Sequence, residues 1–285
     1  MLETGISIKG RGRSPIVSGH FYPDTRLTVE RQIRSFGLQS GIGGNARAII
    51  APHGVWDVSG TLAAAAFSGA AGRKRLPNHR IGVSSVVIMA SLHDSAGSGL
   101  FLSDSNFFTT PLGNLLVDLQ LCAELASCCT LFEVNDIPHL QEHTIEVLLP
   151  FVKFCFPGAA IIPILMGSSR PAMISGLSRA LRIVFEPLRE STLFVIPSSL
   201  SKNKDESVSL AQAEACVRFL ETGDIPGFTS GVADGSLSLC GGAVLAALFE
   251  SGLLEDKPGR LVRGPLVKTI GEEGKIVCYG GVSFG

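Results

Sequence analysis

The chain has 285 residues, 45% of them hydrophobic and 17% charged, with mean hydropathy +0.35 and a formal net charge of -1. That composition predicts a large buried core, and the absence of any basic block argues against nucleic-acid binding by phosphate neutralisation. Seven cysteines, including the adjacent pair Cys128 and Cys129, lack a disulfide-framework spacing and predict reduced thiols in a cytoplasmic protein.

The opening Met1-Leu2-Glu3-Thr4 has no basic region followed by an apolar one, so no signal peptide is expected. Asp24 or Thr25 caps a first helix whose Val29, Ile33 and Phe36 share a face. A strand ending at Ala51 leads through Ser59-Gly60-Thr61 into an alanine-rich helix. A second strand, 86–92, gives way to a Gly/Ser/Asp-rich loop through Asn106 and then a helix over about 114–127. A shorter helix follows Glu142. The stretch 147–167 carries Lys153 as its only charge, but Pro150, Pro157, Gly158 and Pro163 break it. It reads as buried helix, turn and strand rather than a membrane span. A strand is expected at 160–166, a helix at 172–190, a strand at 192–196 and a polar loop at 198–206. Helices at 210–221 and 243–250 and strands at 260–270 and 276–284 complete the reading. This alternation predicts a three-layer α/β/α fold with a mostly parallel central sheet. No Pro/Gly/Ser linker interrupts it, so residues 1–285 are expected to form a single domain.

His53 and His93 each stand just past an apolar strand-like run. If the two strands are neighbours in a parallel sheet, both imidazoles emerge at its carboxyl edge, where α/β proteins place ligand clefts. Cys240 offers a third ligand. It precedes Gly241-Gly242 and a helical run, where the helix dipole and free amides favour a thiolate. The alternative for Cys240 is a buried small hydrophobe. In Glu142-His143-Thr144-Ile145-Glu146, His143 and Glu146 share a helix face at i, i+3, so His143 could act as a general acid or base oriented by Glu146. The plainer reading is an acidic helix start. Trp56, the sole tryptophan, either walls a pocket or packs the loop after His53. Ser198 and Ser199 end a strand and should face the same cleft, whereas His20, His79 and His139 read as structural or solvated.

Several segments, taken in order, resemble the Memo family, whose bacterial and archaeal members belong to the AmmeMemoRadiSam group. Ser18-Gly19-His20-Phe21-Tyr22-Pro23 is similar to an AGxFYP signature, and 51–60 (APHGVWDVSG) to SPHAGYxYSG. Residues 89–93 (MASLH) stand where the family has LGPSH, and 142–150 (EHTIEVLLP) resembles EHSIEVQLP closely. Residues 162–167 (IPILMG), 239–242 (LCGG) and 279–282 (YGGV) resemble its VPILVG, CG and YAA-type elements. The resemblance covers nearly the whole chain. It implies a fold shared with class III extradiol dioxygenases of the LigB-like type, which hold non-haem iron. It also implies that His53, His93 and Cys240 are metal-site residues and His143 a cleft histidine. Where the family has SSDFSH, this chain has Leu200 and Asn203 in place of the acid and the histidine. The resemblance therefore implies a site without a supporting carboxylate.

Two classes of function follow. The first is a metal-dependent, redox-related protein of dioxygenase ancestry holding Fe(II), or copper or zinc given the thiolate, with weak or no ring cleavage. The second is a non-catalytic adaptor whose degenerate cleft, with no metal, holds a peptide or partner. Either way a small molecule or peptide in the cleft is expected, with no nucleic acid and no membrane.

Overall fold

The computed structural model describes residues 10–73, 82–93, 97–254, 258–270 and 274–285. The first half of the chain forms β1 (Gly12–Arg13), α1 (Arg26–Ser35), β2 (Ala48–Ala51), α2 (Trp56–Ser68), β3 (Ser85–Ser91), β4 (Leu100–Leu102), β5 (Phe107–Phe108) and β6 (Leu115–Leu116). It continues with α3 (Leu119–Cys128), β7 (Phe132–Val134), α4 (Ile137–Gln141) and α5 (Thr144–Cys155). The second half forms β8 (Ala160–Met166), α6 (Pro171–Phe185), β9 (Thr192–Pro197), β10 (Ser201–Asn203), α7 (Glu206–Thr222), α8 (Ile225–Asp234), α9 (Gly242–Glu250), β11 (Gly259–Ile270) and β12 (Ile276–Phe284).

The main sheet runs β10-β12-β2-β9-β3-β8-β4-β7, with β11 paired to β12. Its centre, β2-β9-β3-β8, is parallel throughout. β12 joins that centre antiparallel through β2, and β4 does so through β8, so the sheet as a whole is mixed. The central strands are buried on both faces, which is why 48–51, 85–91 and 160–166 read as continuous apolar runs without alternation. α1, α2 and α5 pack together, and α3, α6, α8 and α9 form a second group with α7, giving an α/β fold with helices flanking the sheet. Pro163 is tolerated inside β8 because β4 pairs only from Ile164 to Met166, while Val117 bridges Ile161.

Local chemistry sets the helix starts. Thr25, rather than Asp24, caps α1 by accepting from the Thr28 amide, and Asp205 caps α7 through the Val208 amide at 3.1 Å. The expected helix at 114–127 begins only at Leu119, capped by Asp118, because Leu115 and Leu116 pair with β5. The helix after Glu142 is a full 12 residues long. α8 was not expected. Its Asp224 cap and Pro226 look like loop residues, and it is held by tertiary packing of Phe228 against Phe249, with ring centroids 5.6 Å apart.

His20 is exposed and His79 lies outside the described residues. His139 is buried, its Nε2–H donating to the Phe101 carbonyl at 3.2 Å. Burial pushes its pKa down from 6.5 to about 4. An unfolded chain takes up a proton near pH 6.5 that the folded chain refuses until about pH 4. Stability is therefore expected to fall by about 3 kcal/mol as pH drops through that window, and His139→Asn should remove most of the slope. Urea midpoints measured across the window check this; a wild-type curve no steeper than the variant's counts against it.

Candidate metal centre

β2, β9 and β3 lie side by side and parallel, so their carboxyl ends open at one edge of the sheet. His53 follows β2, Ser198 and Ser199 follow β9, and His93 follows β3. The two histidine-bearing strands are not direct neighbours, because β9 separates them. That insertion places Ser198 and Ser199 between the histidines. Cys240 arrives from the other direction, at the N-terminus of α9. A Cβ on Gly241 would sit 2.8 Å from both Ile196 Cγ2 and Ser198 Cβ, so only glycine lets this turn approach β9 so closely. Ser198, fully buried, clamps the turn: its Oγ accepts from the Gly241 amide at 2.8 Å and donates to the Ser199 carbonyl at 2.6 Å.

The outcome is a convergence of His53, His93 and Cys240, with one candidate ligand atom from each lying within 4.8 Å of the others. His53 Nε2 is 3.1 Å from Cys240 Sγ, and the Ser199 amide donates to the same sulfur at 3.1 Å. Burial alone would raise the Cys240 thiol pKa, but the charge and hydrogen bonds of the His53 and His93 imidazoles hold it well below its usual value. His93 is pushed up to about 10, first by its hydrogen bond to Cys240 and then by Glu142. A thiolate flanked by imidazoles is a ligand set for a borderline or soft first-row ion. The spacing is near that of a shared ion. Atoms bonded at about 2.0–2.3 Å to a tetrahedral ion stand roughly 3.3–3.8 Å apart, so the widest separation in the set would close by about 1 Å on binding.

A supporting carboxylate, expected to be missing, is present as Glu142. Its Oε2 accepts from the His93 amide at 3.0 Å and lies 3.2 Å from His93 Nδ1, while Oε1 accepts from the Thr144 amide at 3.0 Å. Burial works to raise the Glu142 pKa, but the bonds from His93 and Thr144 hold it well below the ordinary carboxylate range. Fixing Nδ1 leaves Nε2 of His93 available to a metal. Glu142→Gln should weaken metal affinity by about 10-fold and Glu142→Ala by about 100-fold in chelator competition. Unchanged affinity in both would remove Glu142 from the centre.

His143 precedes the first turn of α5 without capping it through its side chain; its Nδ1 is 3.6 Å from Glu142 Oε1, and its ring lies 6.3 Å from that of His53 and 6.5 Å from that of His93. Phe21 meets it edge-on at 4.8 Å. Desolvation lowers the His143 pKa, which keeps the ring neutral and able to accept a proton near pH 7.

Two residues expected in the cleft are elsewhere. Glu146 is fully buried, and its carboxylate accepts from Arg13 at 2.8 Å, from the Ile16 and Val17 amides and from the Tyr22 hydroxyl. It ties down the chain before α1; the carboxylate beside His143 is Glu142. Trp56 is core: its Nε1–H donates to the Val147 carbonyl at 3.1 Å, and its ring packs on Phe151 at 4.5 Å. Leu200 is also buried, and Asn203 Oδ1 accepts from the Asp205 amide. Tyr279, on β12 and part of the YGGV element, is a further neighbour that was not expected at the site. A Cβ on Gly54 would meet its hydroxyl at 3.0 Å, and burial, then the Cys240 charge, pushes its pKa up to about 12. It remains a protonated donor at neutral pH.

Fold and site together define an α/β protein that brings two histidines and a cysteine to the carboxyl edge of its parallel strands. A family model described as Memo-like protein matches residues 13–270. A "MEMO1 family protein" of Thermotoga neapolitana is 28% identical over 253 residues, covering 84% of this chain and 88% of the relative. One of Metallosphaera sedula is 26% identical, covering 94% and 97% of the two chains. The chain belongs to the Memo-like family. No helix among the described residues is long and apolar enough to cross a membrane.

Proposed function

We propose that this is a metal-binding, redox-related protein in which His53, His93 and Cys240 hold one iron or copper ion, with zinc as the non-redox alternative. The observation that carries this reading is the 4.8 Å convergence of two imidazoles and a thiolate held low by its neighbours. A bound iron or copper ion would supply one-electron chemistry beside an open cleft. The protein's own groups do the rest. Glu142 orients His93, the Ser199 amide donates to the Cys240 sulfur and moderates its basicity, and His143 accepts or returns a proton at the cleft wall. The cleft is of dioxygenase ancestry on this reading, but ring cleavage is weak or absent, because the third ligand is a thiolate where a facial triad uses a carboxylate.

Protein purified without added metal should contain about one first-row ion per chain by elemental analysis, and iron-loaded protein should not consume catechols in air above the rate of a His53→Ala control. Metal-free protein that takes up no iron, copper or zinc, or robust turnover lost in His53→Ala, would overturn the reading.

A further inference from the structure

Cys240 also lines a cleft of about 430 Å³, a size suited to a small organic ligand. Its walls are Ser168 and Ser169 of the turn between β8 and α6, Leu237 and Leu239 before α9, and Ser91 and Leu92 at the end of β3. His53, His93 and His143 are not among its lining residues, so this cleft meets the centre through Cys240. Three serines and Cys240 give the cleft a mostly polar lining, and no acidic residue lines it among the described residues. A charge is tied to this wall through Ser168, that of Arg170. Its Nε donates to Ser168 Oγ at 3.2 Å and its amide to the same oxygen at 3.3 Å. Arg170 is exposed, and among the described residues no salt bridge ties it to a carboxylate. Its guanidinium is therefore available to pair with an incoming anion.

We propose that this cleft is the binding site for a small carboxylate-bearing molecule, which enters past Arg170 and meets the centre at Cys240. The inference rests on the metal-centre reading for what the ligand meets, but not for the cleft or its charge preference.

The test separates the two by using metal-free protein and a matched pair of probes, iodoacetate and iodoacetamide. Both alkylate a thiolate: the sulfur forms a bond to the methylene carbon, the carbon–iodine bond breaks, and iodide leaves with the electron pair. Because both sample the same thiolate population, the ratio of their rates at the Cys240 peptide, followed by mass spectrometry, reports charge preference at the cleft. An unassisted thiolate repels the carboxylate reagent and reacts faster with the neutral one. Here iodoacetate should alkylate Cys240 at least as fast as iodoacetamide. Arg170→Gln should lower the ratio, and Arg170→Glu should lower it by about fivefold or more, since an exposed charge acts within a Debye length. Ser169→Trp should slow both reagents about tenfold at Cys240, while labelling of the half-buried Cys128 stays unchanged as the fold control. A ratio indifferent to both Arg170 variants, or Cys240 rates untouched by Ser169→Trp in folded protein, would overturn the proposal. Loading with copper or zinc should protect Cys240 from both reagents. Failure of that protection alone counts against the metal centre and leaves the cleft standing.

Discussion

Cys240→Ala is expected to lower metal affinity by roughly 100-fold or more and to reduce the metal recovered on purification from about one ion per chain to a small fraction of that. Removing the thiolate deletes the one anionic member of a set whose other donors, His53 and His93, are imidazoles. Two imidazoles alone hold a first-row ion far less firmly, and the Ser199 amide that donates to the sulfur at 3.1 Å would be left facing the gap. Cobalt-loaded wild-type protein should show thiolate-to-metal charge transfer, which Cys240→Ser should abolish while keeping nearly the same volume. Cys128→Ser, on α3 away from the centre, should leave metal content and spectrum unchanged. Equal metal content in wild type and Cys240→Ala would exclude the thiolate as a ligand.

Glu146→Ala is expected to cost about 3–5 kcal/mol of stability, a large part of the 5–15 kcal/mol typical of a folded domain. Arg13 and Glu146 are both almost completely buried and meet at 2.8 Å. Arg13 also donates to the His139 carbonyl at 2.6 Å and the Glu142 carbonyl at 3.0 Å. Deleting Glu146 strands a guanidinium in the core and leaves the Ile16 and Val17 amides and the Tyr22 hydroxyl without their acceptor. Because the cost lies in the uncompensated charge, Arg13→Met combined with Glu146→Leu should be less destabilising than either Arg13→Ala or Glu146→Ala. Denaturant midpoints of the variants decide this, and a double variant as unstable as the sum of the singles would refute the explanation. Since the same arginine holds the 139–142 backbone, Glu146→Ala should also loosen Glu142 and weaken metal binding indirectly.

Elements whose residues carry their own local signal were legible before any tertiary contact was known. The strand at 160–166 is an apolar run bounded by Gly158 and Gly167, and the final strands carry β-branched residues such as Val262, Val267, Ile270, Ile276, Val277 and Val282, so each was legible within a residue or two. His53, His93 and Cys240 were legible as candidates because each stands at the junction of an apolar run and a glycine or polar turn. α8 was not, because its start looks like a turn and packing of Phe228 stabilises it. Strand order was decided only by the tertiary structure. Nothing local in 192–197 says that it inserts between the two histidine-bearing strands, since parallel partners are joined by long crossovers and chosen by global packing. The exchange of roles between Glu142 and Glu146 has the same origin. Helical spacing pairs Glu146 with His143, but Glu142 precedes the helix, so its side chain reaches back to His93, and Arg13, more than a hundred residues away, captures Glu146. A buried carboxylate takes the partners that compensate its desolvation, and those are set by long-range contacts that helix periodicity does not encode.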